Sequence, residues 1–201
     1  MRALIGAILA GVVAWIIIFA WRPANFWLLM GADLAALGAV ALRVRGAAFR
    51  EEGVRVGDLA TGVAATMVLY AVFFAGQTVL GRLVPGAAAQ VHSVYALRAE
   101  APWWIVLPLL GCVIAPGEEL FWRGLVQWGL ARRLGPSLAW VVATAIYGGV
   151  HVAASNPMLV MAALTAGGVW GQLYLRTGRI APAVVSHIVF DVMVLFILPF
   201  G

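Results

Sequence analysis

Seven long apolar runs, broken by short polar stretches, make up most of this chain. They cover about 3–21, 24–42, 59–80, 102–131, 136–154, 157–175 and 181–199. An α-helix needs roughly 20 apolar residues to cross a bilayer, and each run approaches or exceeds that length. The pattern predicts an all-α polytopic membrane helix bundle of about seven transmembrane helices, built as a single integral membrane domain over 1–201. An eighth element is expected if the stretch near 85–100, just ahead of Trp103-Trp104, forms a short interfacial helix or a re-entrant segment. The first run, Leu4 to Ala20, is too long for the apolar core of a secretory leader. Trp21-Arg22-Pro23 is also a poor cleavage context, so this run is expected to be the first transmembrane helix. Arg22-Pro23 allows only a short turnaround, and 43–58 is expected to be the most polar loop.

Composition sharpens the class. Of 201 residues, 64% are hydrophobic and 10% charged, which excludes a soluble domain of this length. All 13 basic residues are arginine. The pI near 10.3 comes from arginines in short loops. No basic stripe is interleaved with aromatics, so nucleic acid is not an expected partner. If the seven runs alternate, Arg2, Arg43, Arg45, Arg50, Arg55, Arg132, Arg133, Arg176 and Arg179 share one side. Only Arg22, Arg82 and Arg98 lie on the other. The positive-inside rule then places the N-terminus in the cytoplasm and the C-terminus outside, with a bacterial inner (plasma) membrane as the expected location. Cys112 is the single cysteine. It leaves no intrachain disulfide and no cysteine metal cluster, and in an apolar helix it is expected to be a small buried hydrophobe.

Against this background, charges inside the apolar runs carry the information. Pro116-Gly117-Glu118-Glu119-Leu120-Phe121-Trp122-Arg123-Gly124 places three formal charges within six residues of the fourth run. Each such charge costs about 2.5–3.5 kcal/mol at the centre of an inserted helix unless it is paired or faces a wet cavity. Glu119 and Arg123 are four apart, in the favoured order for an ion pair on one helix face. Glu118 is turned about 100° away and is left free for another task. Pro116 and Gly117 loosen the helix just before it. Elsewhere, Asp33 stands alone in the second run, where hydrogen bonding to a neighbouring helix is the ordinary role. Gln77, Gln127 and Gln172 are expected to bond between helices, and Gly167 with Gly171 to mark close packing.

Two further clusters have the same character. Tyr147 and His151 are four apart near the end of the fifth run, and His187 and Asp191 are four apart in the seventh. At the helical rise, Glu118 lies about 21 Å from the cytoplasmic arginines and His151 about 23 Å from Pro136. His187 and Asp191 lie about 12 and 18 Å in from Arg179. All four fall within a hydrocarbon core about 30 Å thick, so the carboxylates, histidines and arginine can converge in one buried pocket. Glu and His there can activate a water, while the remaining groups hold a metal or stabilise an oxyanion.

Glu118-Glu119-x-x-x-Arg123, Tyr147-x-x-x-His151 and His187-x-x-x-Asp191 together resemble the three-motif signature of the CPBP family. These are the CAAX-type prenyl endopeptidases and bacteriocin-processing or immunity proteins, also called the abortive-infection family. The run Gly167-x-x-x-Gly171-x-Leu173-Tyr174-x-x-Thr177-Gly178-x-Ile180-x-Pro182 is similar to the family's approach to its second histidine. The likeness covers about half the chain, and 102–195 is expected to be the catalytic core. The resemblance implies an intramembrane endopeptidase in which Glu118 and His151 activate water. His187 and Asp191 would stabilise or ligate, and Glu119, Arg123 and Tyr147 would support the site. The family usually opens its second motif with Phe where Tyr147 stands, and many members end the third with Asn where Asp191 stands. A divalent metal, zinc foremost, would take His151, His187 and Asp191 and leave Glu118 free as the base, because zinc sites use three such donors and leave room for water; Glu118 as a ligand is the variant of this set. A metal-free mechanism is the alternative. Partners implied are the bilayer and a membrane-associated peptide or protein substrate, with oligomeric state open. A catalytically silent immunity or binding protein of the same fold is the runner-up, and a small transporter the third reading.

Overall fold

A computed structural model of the chain describes residues 2–200 and the side chains of residues 4–200. Among the described residues the fold is helical, with no strand. Six helices are long and apolar enough to cross a membrane: α1 (Leu4–Trp21), α2 (Phe26–Glu52), α3 (Val56–Leu83), α5 (Trp103–Leu134), α6 (Pro136–Ala154) and α7 (Pro157–Thr177). Between α3 and α5 lies the short α4 (Ala87–Arg98), and the chain closes with α8 (Ala181–Ile197), a shorter apolar helix. The seven apolar runs and the extra element near 85–100 are all present as helices.

One boundary differs from expectation. Most of 43–58 continues α2, and the connection to α3 shrinks to residues 53–55. Between Arg43 and Glu52 the residues are mainly Ala, Arg and Glu, which favour helix even when they are too polar for lipid. Gly53 ends the helix at φ +56°, a conformation that suits glycine. At about 1.5 Å per residue α2 therefore outruns a hydrocarbon core about 30 Å thick, bringing Arg45 to its edge and carrying Arg50 and Glu52 beyond it.

Two side-by-side cores build the bundle. Trp15, Ile18, Phe26, Leu34, Phe121, Trp122, Val126 and Tyr147 knit α1, α2, α5 and α6 together. A smaller core of Leu69, Ala166, Trp170, Ala183 and Phe190 joins α3, α7 and α8. Small residues set the closest approaches. An added Cβ on Gly117 would lie 2.7 Å from the Leu34 carbonyl oxygen, so α2 crosses α5 almost backbone to backbone. On Gly62 it would lie 2.7 Å from Val185, where α3 meets α8. Such contacts drive helix association in lipid, where burial of apolar surface gives little preference for one helix face over another.

The same principle corrects the expectation for Cys112, which is exposed on the outside of the bundle. Its side chain belongs with the many exposed apolar side chains, such as Leu9, Val13, Met67, Phe74 and Val141. An apolar residue in a bilayer protein faces lipid as readily as it faces a core.

Polar links close the two ends. At the arginine-rich end, Arg179 grips Asp58 through Nε (2.8 Å) and Nη2 (2.6 Å), and Nη2 also donates to the Glu52 and Gly53 carbonyls. Arg45 there donates to the Gly124 carbonyl and to the Tyr174 hydroxyl. At the opposite end, Arg22 donates to Glu100, and Asn156 donates to the Gln90 carbonyl and Ser93 hydroxyl, pinning α4 over the start of α7.

The arginine asymmetry generates a topological prediction. In a Cys112→Ala background, Val54→Cys in the exposed 53–55 turn should react with an impermeant thiol reagent only after cells are permeabilised. Ala99→Cys, at the other end, should react on intact cells. The opposite pattern would reverse the orientation.

Candidate active site

The site helix, α5, is irregular around its two glutamates. Its axis passes through a wide π-helical turn at Leu110–Ile114, an ordinary α-turn at Ala115–Glu119, and a second π-helical stretch at Leu120–Gln127. Pro116 lies in the first turn of the middle segment; it offers no N–H, and its ring crowds the carbonyl four residues back, which favours the wider turn upstream. The effect is to present Glu118 and Glu119 on separate faces within a helix that is buried on nearly every side.

Glu119 points into the seam between the two cores. Its Oε1 accepts from Arg123 Nη1 at 2.9 Å and from His187 Nδ1 at 2.8 Å. The first contact is the expected i,i+4 pair; the second joins α5 to α8 and has no signal in the spacing of either motif. Arg123 is completed by a 3.0 Å hydrogen bond from Nη2 to the Gly167 carbonyl, with the Tyr147 and Trp170 rings at 4.7 and 5.5 Å. An added Cβ on Gly167 would sit 2.5 Å from Tyr147, so α7 must be bare there. About a turn further along α7, the Gly171 carbonyl likewise accepts a 2.9 Å hydrogen bond, from Gln127 Nε2. Of the three glutamines expected to bond between helices, Gln127 does so. Gln77 lines a cavity, and the Gln172 amide oxygen is buried without a partner.

Glu118 points the other way. Tyr147 donates its hydroxyl to Glu118 Oε2 at 2.7 Å, a link that a phenylalanine could not make. His151 caps the C-terminal end of the α6 helical run, where the last turn tightens to 3-10 form. Its Nδ1 lies 2.8 Å from the Tyr147 carbonyl oxygen. A carbonyl only accepts, so in the neutral ring Nδ1 carries the proton and Nε2 offers a lone pair. His187 is sandwiched: Trp170 stacks on its face at 3.7 Å, Nδ1 faces Glu119, and Nε2 lies 3.4 Å from Asp191 Oδ2.

A cavity of about 380 Å³ opens beside these groups, and all eight helices contribute to its lining. Most of its lining is apolar, as with Phe26, Phe73 and Val194. Glu118, His151 and Asp191 all line it, while His187 stands behind Asp191 and does not. The sequence-chosen residues thus fall into two groups: three that face one cavity, and a supporting set of Glu119, Arg123 and His187 beneath it.

This arrangement bears on metal binding. Among the described residues, no group of three His, Cys, Asp or Glu is disposed to hold a metal ion. His187 turns both ring nitrogens toward carboxylates, and His151 commits one to a backbone carbonyl. The set His151, His187 and Asp191 is therefore not gathered as three converging donors, and Glu118 does not complete it.

Comparison with known proteins adds a family match over part of the chain. Residues 100–193 match the family model described as type II CAAX prenyl endopeptidase, Rce1-like. That stretch contains all three motifs, and it agrees with the CPBP resemblance read from them. No curated protein and no solved structure matches the chain.

The two glutamates should respond differently to substitution. Glu119→Ala strands Arg123 and His187 in the interior and should lower stability by about 3–5 kcal/mol, the usual cost of breaking a buried pair. Glu118→Gln keeps an acceptor for the Tyr147 hydroxyl and should melt close to the parent. Thermal unfolding in detergent measures both. Equal melting of the two variants would contradict a structural role for Glu119 that Glu118 does not share.

Proposed function

We propose that this chain, whose residues 100–193 match the type II CAAX prenyl endopeptidase Rce1-like family, is an intramembrane endopeptidase. The observation that carries the reading is the meeting of Glu118, His151 and Asp191 on one mostly apolar cavity inside a helical membrane bundle. Ionisable groups at such depth are costly, and in a membrane protein they are the first candidates for function.

In this reading a water molecule sits between Glu118 and His151. Tyr147 occupies Glu118 Oε2, which leaves Oε1 to accept a proton as the water attacks the scissile carbonyl carbon. His151 Nε2 accepts the other water hydrogen and orients the oxygen lone pair. The carbonyl π bond becomes an oxyanion as the new C–O bond forms. Glu118 then returns its proton to the leaving amine, the C–N bond breaks, and the carboxyl product forms. Asp191 serves the oxyanion only as a carboxylic acid, since an ionised carboxylate only accepts hydrogen bonds. His187 and Glu119 hold Asp191 and the α5–α8 contact in place. No step is routed through a metal, because the side chains do not gather a donor set for one. The substrate is a peptide bond in a membrane-associated chain, presented from the bilayer.

Reconstituted protein should cleave membrane-anchored peptides, and Glu118→Gln should abolish turnover without unfolding. Turnover should survive exhaustive chelation. Asp191→Asn, which keeps a hydrogen-bond donor, should retain activity within about tenfold, an amide being an adequate oxyanion donor. Zinc near one per chain, with activity lost on chelation and zinc lost in Asp191→Asn, would instead establish the zinc mechanism. Failure of the parent to cut any anchored peptide, with binding intact, would favour a silent binding protein.

A further inference from the structure

The first two helices carry no motif and lie outside the matched stretch, yet α1 supplies two of the walls around His151. Trp15 meets the imidazole edge to face, with ring centroids 4.8 Å apart at 81°, and Phe19 lies against it at 5.5 Å. The Nδ1 hydrogen bond to the Tyr147 carbonyl fixes one atom of the ring. The tilt of the ring about that bond, and hence the direction of Nε2, is set by what packs on its faces.

Trp15 is fully buried, and its indole N–H has no hydrogen-bond partner. Asp33 of α2 lies beside this indole, and its Oδ2 is likewise buried and unpartnered. A donor and an acceptor left open side by side in an apolar interior are costly unless they serve each other, directly or across one water. Asp33 also lies next to Leu34, the residue on which Gly117 of the site helix closes. The carboxylate, the indole and the histidine therefore form a short chain from α2 through α1 to the cavity wall.

We propose that Asp33 and Trp15 are a positioning pair for His151. Asp33 holds the indole through its N–H, and the indole edge holds the imidazole with Nε2 toward the cavity. Neither residue touches substrate; both act through the histidine. The α1–α2 hairpin is thereby a required component of the site. The kinetic arm of this inference rests on the endopeptidase reading, and its chemical arm does not.

The test compares Asp33→Leu, Asp33→Asn, Trp15→Phe and the double variant Trp15→Phe/Asp33→Leu in the reconstituted full chain. Turnover is measured on a cleaved anchored peptide and normalised to folded protein. Asp33→Leu and Trp15→Phe should each lower kcat about tenfold with little change in KM, as expected when a reacting group is misaimed. Asp33→Asn keeps an acceptor oxygen and should stay within about twofold of the parent, and the double variant should be no worse than Trp15→Phe alone. Multiplying kcat losses in the double variant, or losses that appear only in melting temperature, would overturn the proposal. The second arm needs no turnover. Carbethoxylation of His151 by diethyl pyrocarbonate, read by mass spectrometry against exposed His92, should accelerate severalfold in Asp33→Leu and not in Asp33→Asn. An unchanged His151 rate in Asp33→Leu would also overturn it. A parent that cleaves nothing would sink the endopeptidase reading and leave this second arm to decide the positioning role.

Discussion

One carboxylate oxygen, Glu119 Oε1, accepts from a guanidinium on its own helix and from an imidazole on another. In lipid there is no water to take over either role, so each group must find its partners inside the bundle. That requirement spreads outward. Arg123 needs a second acceptor and finds the Gly167 carbonyl, at a point where the Tyr147 ring of α6, itself under the guanidinium, leaves no room for a side chain on Gly167. His187 needs a flat apolar cover and takes Trp170, whose own N–H is met by the buried Ser186 hydroxyl. Ser186 is reached from α3 by Thr66, whose hydroxyl donates to its carbonyl at 3.0 Å. Five helices, α3, α5, α6, α7 and α8, are thus tied to the surroundings of a single anion. Buried networks of this kind are stiff, and a break at one member leaves several others exposed to a low dielectric.

With Glu119 engaged in support, its neighbour is free to differ. Glu118 keeps one oxygen on the Tyr147 hydroxyl and turns toward the cavity. Adjacent acids given such unlike surroundings are the usual way in which one stretch of chain supplies both a structural and a reactive carboxylate. The local irregularity of α5 helps. Wide turns on both sides of Ala115–Glu119 change which residues share a face, and Gly117 lets α2 come close enough to wall the site from behind.

What the sequence made legible follows from distance along the chain. Glu119–Arg123, Tyr147–His151 and His187–Asp191 are all four apart, and helical geometry brings each pair together whatever the rest of the fold does. The seven apolar runs are equally local, since length and composition suffice to find them. Links between helices left no such trace: His187 on Glu119, Tyr147 on Glu118, and Trp15 on His151 depend on the packing of whole helices. Depth counted in residues placed the motifs at a common level but could not say that His187 would stand behind Asp191. Cys112 and the end of α2 depart from expectation for related reasons. A bilayer removes the contrast that makes apolar residues point inward, and helix propensity carries α2 on after hydropathy has stopped marking it.

The position of the cavity follows from how the two cores are joined. Each core is continuous within its own helices, and the seam between them is closed by polar contacts at two levels. One is the Glu119 network in the middle; the other is the arginine-rich end, where Arg179 reaches the Glu52 and Gly53 carbonyls at the end of α2 and Arg45 of α2 reaches Tyr174. Toward the opposite end, α4 bridges the two sides, accepting from Trp27 of α2 at the Leu97 carbonyl and from Asn156, ahead of α7, at the Gln90 carbonyl and Ser93 hydroxyl. Between the middle level and that bridge nothing polar spans the seam among the described residues, and this is the space that Phe73, Val194 and Glu118 line. Apolar surfaces that lack an interlocking partner in lipid have little reason to close on one another. A cavity at this level is therefore a consequence of where the polar links were placed, and Glu118 borders it because its neighbour Glu119 forms the lower link.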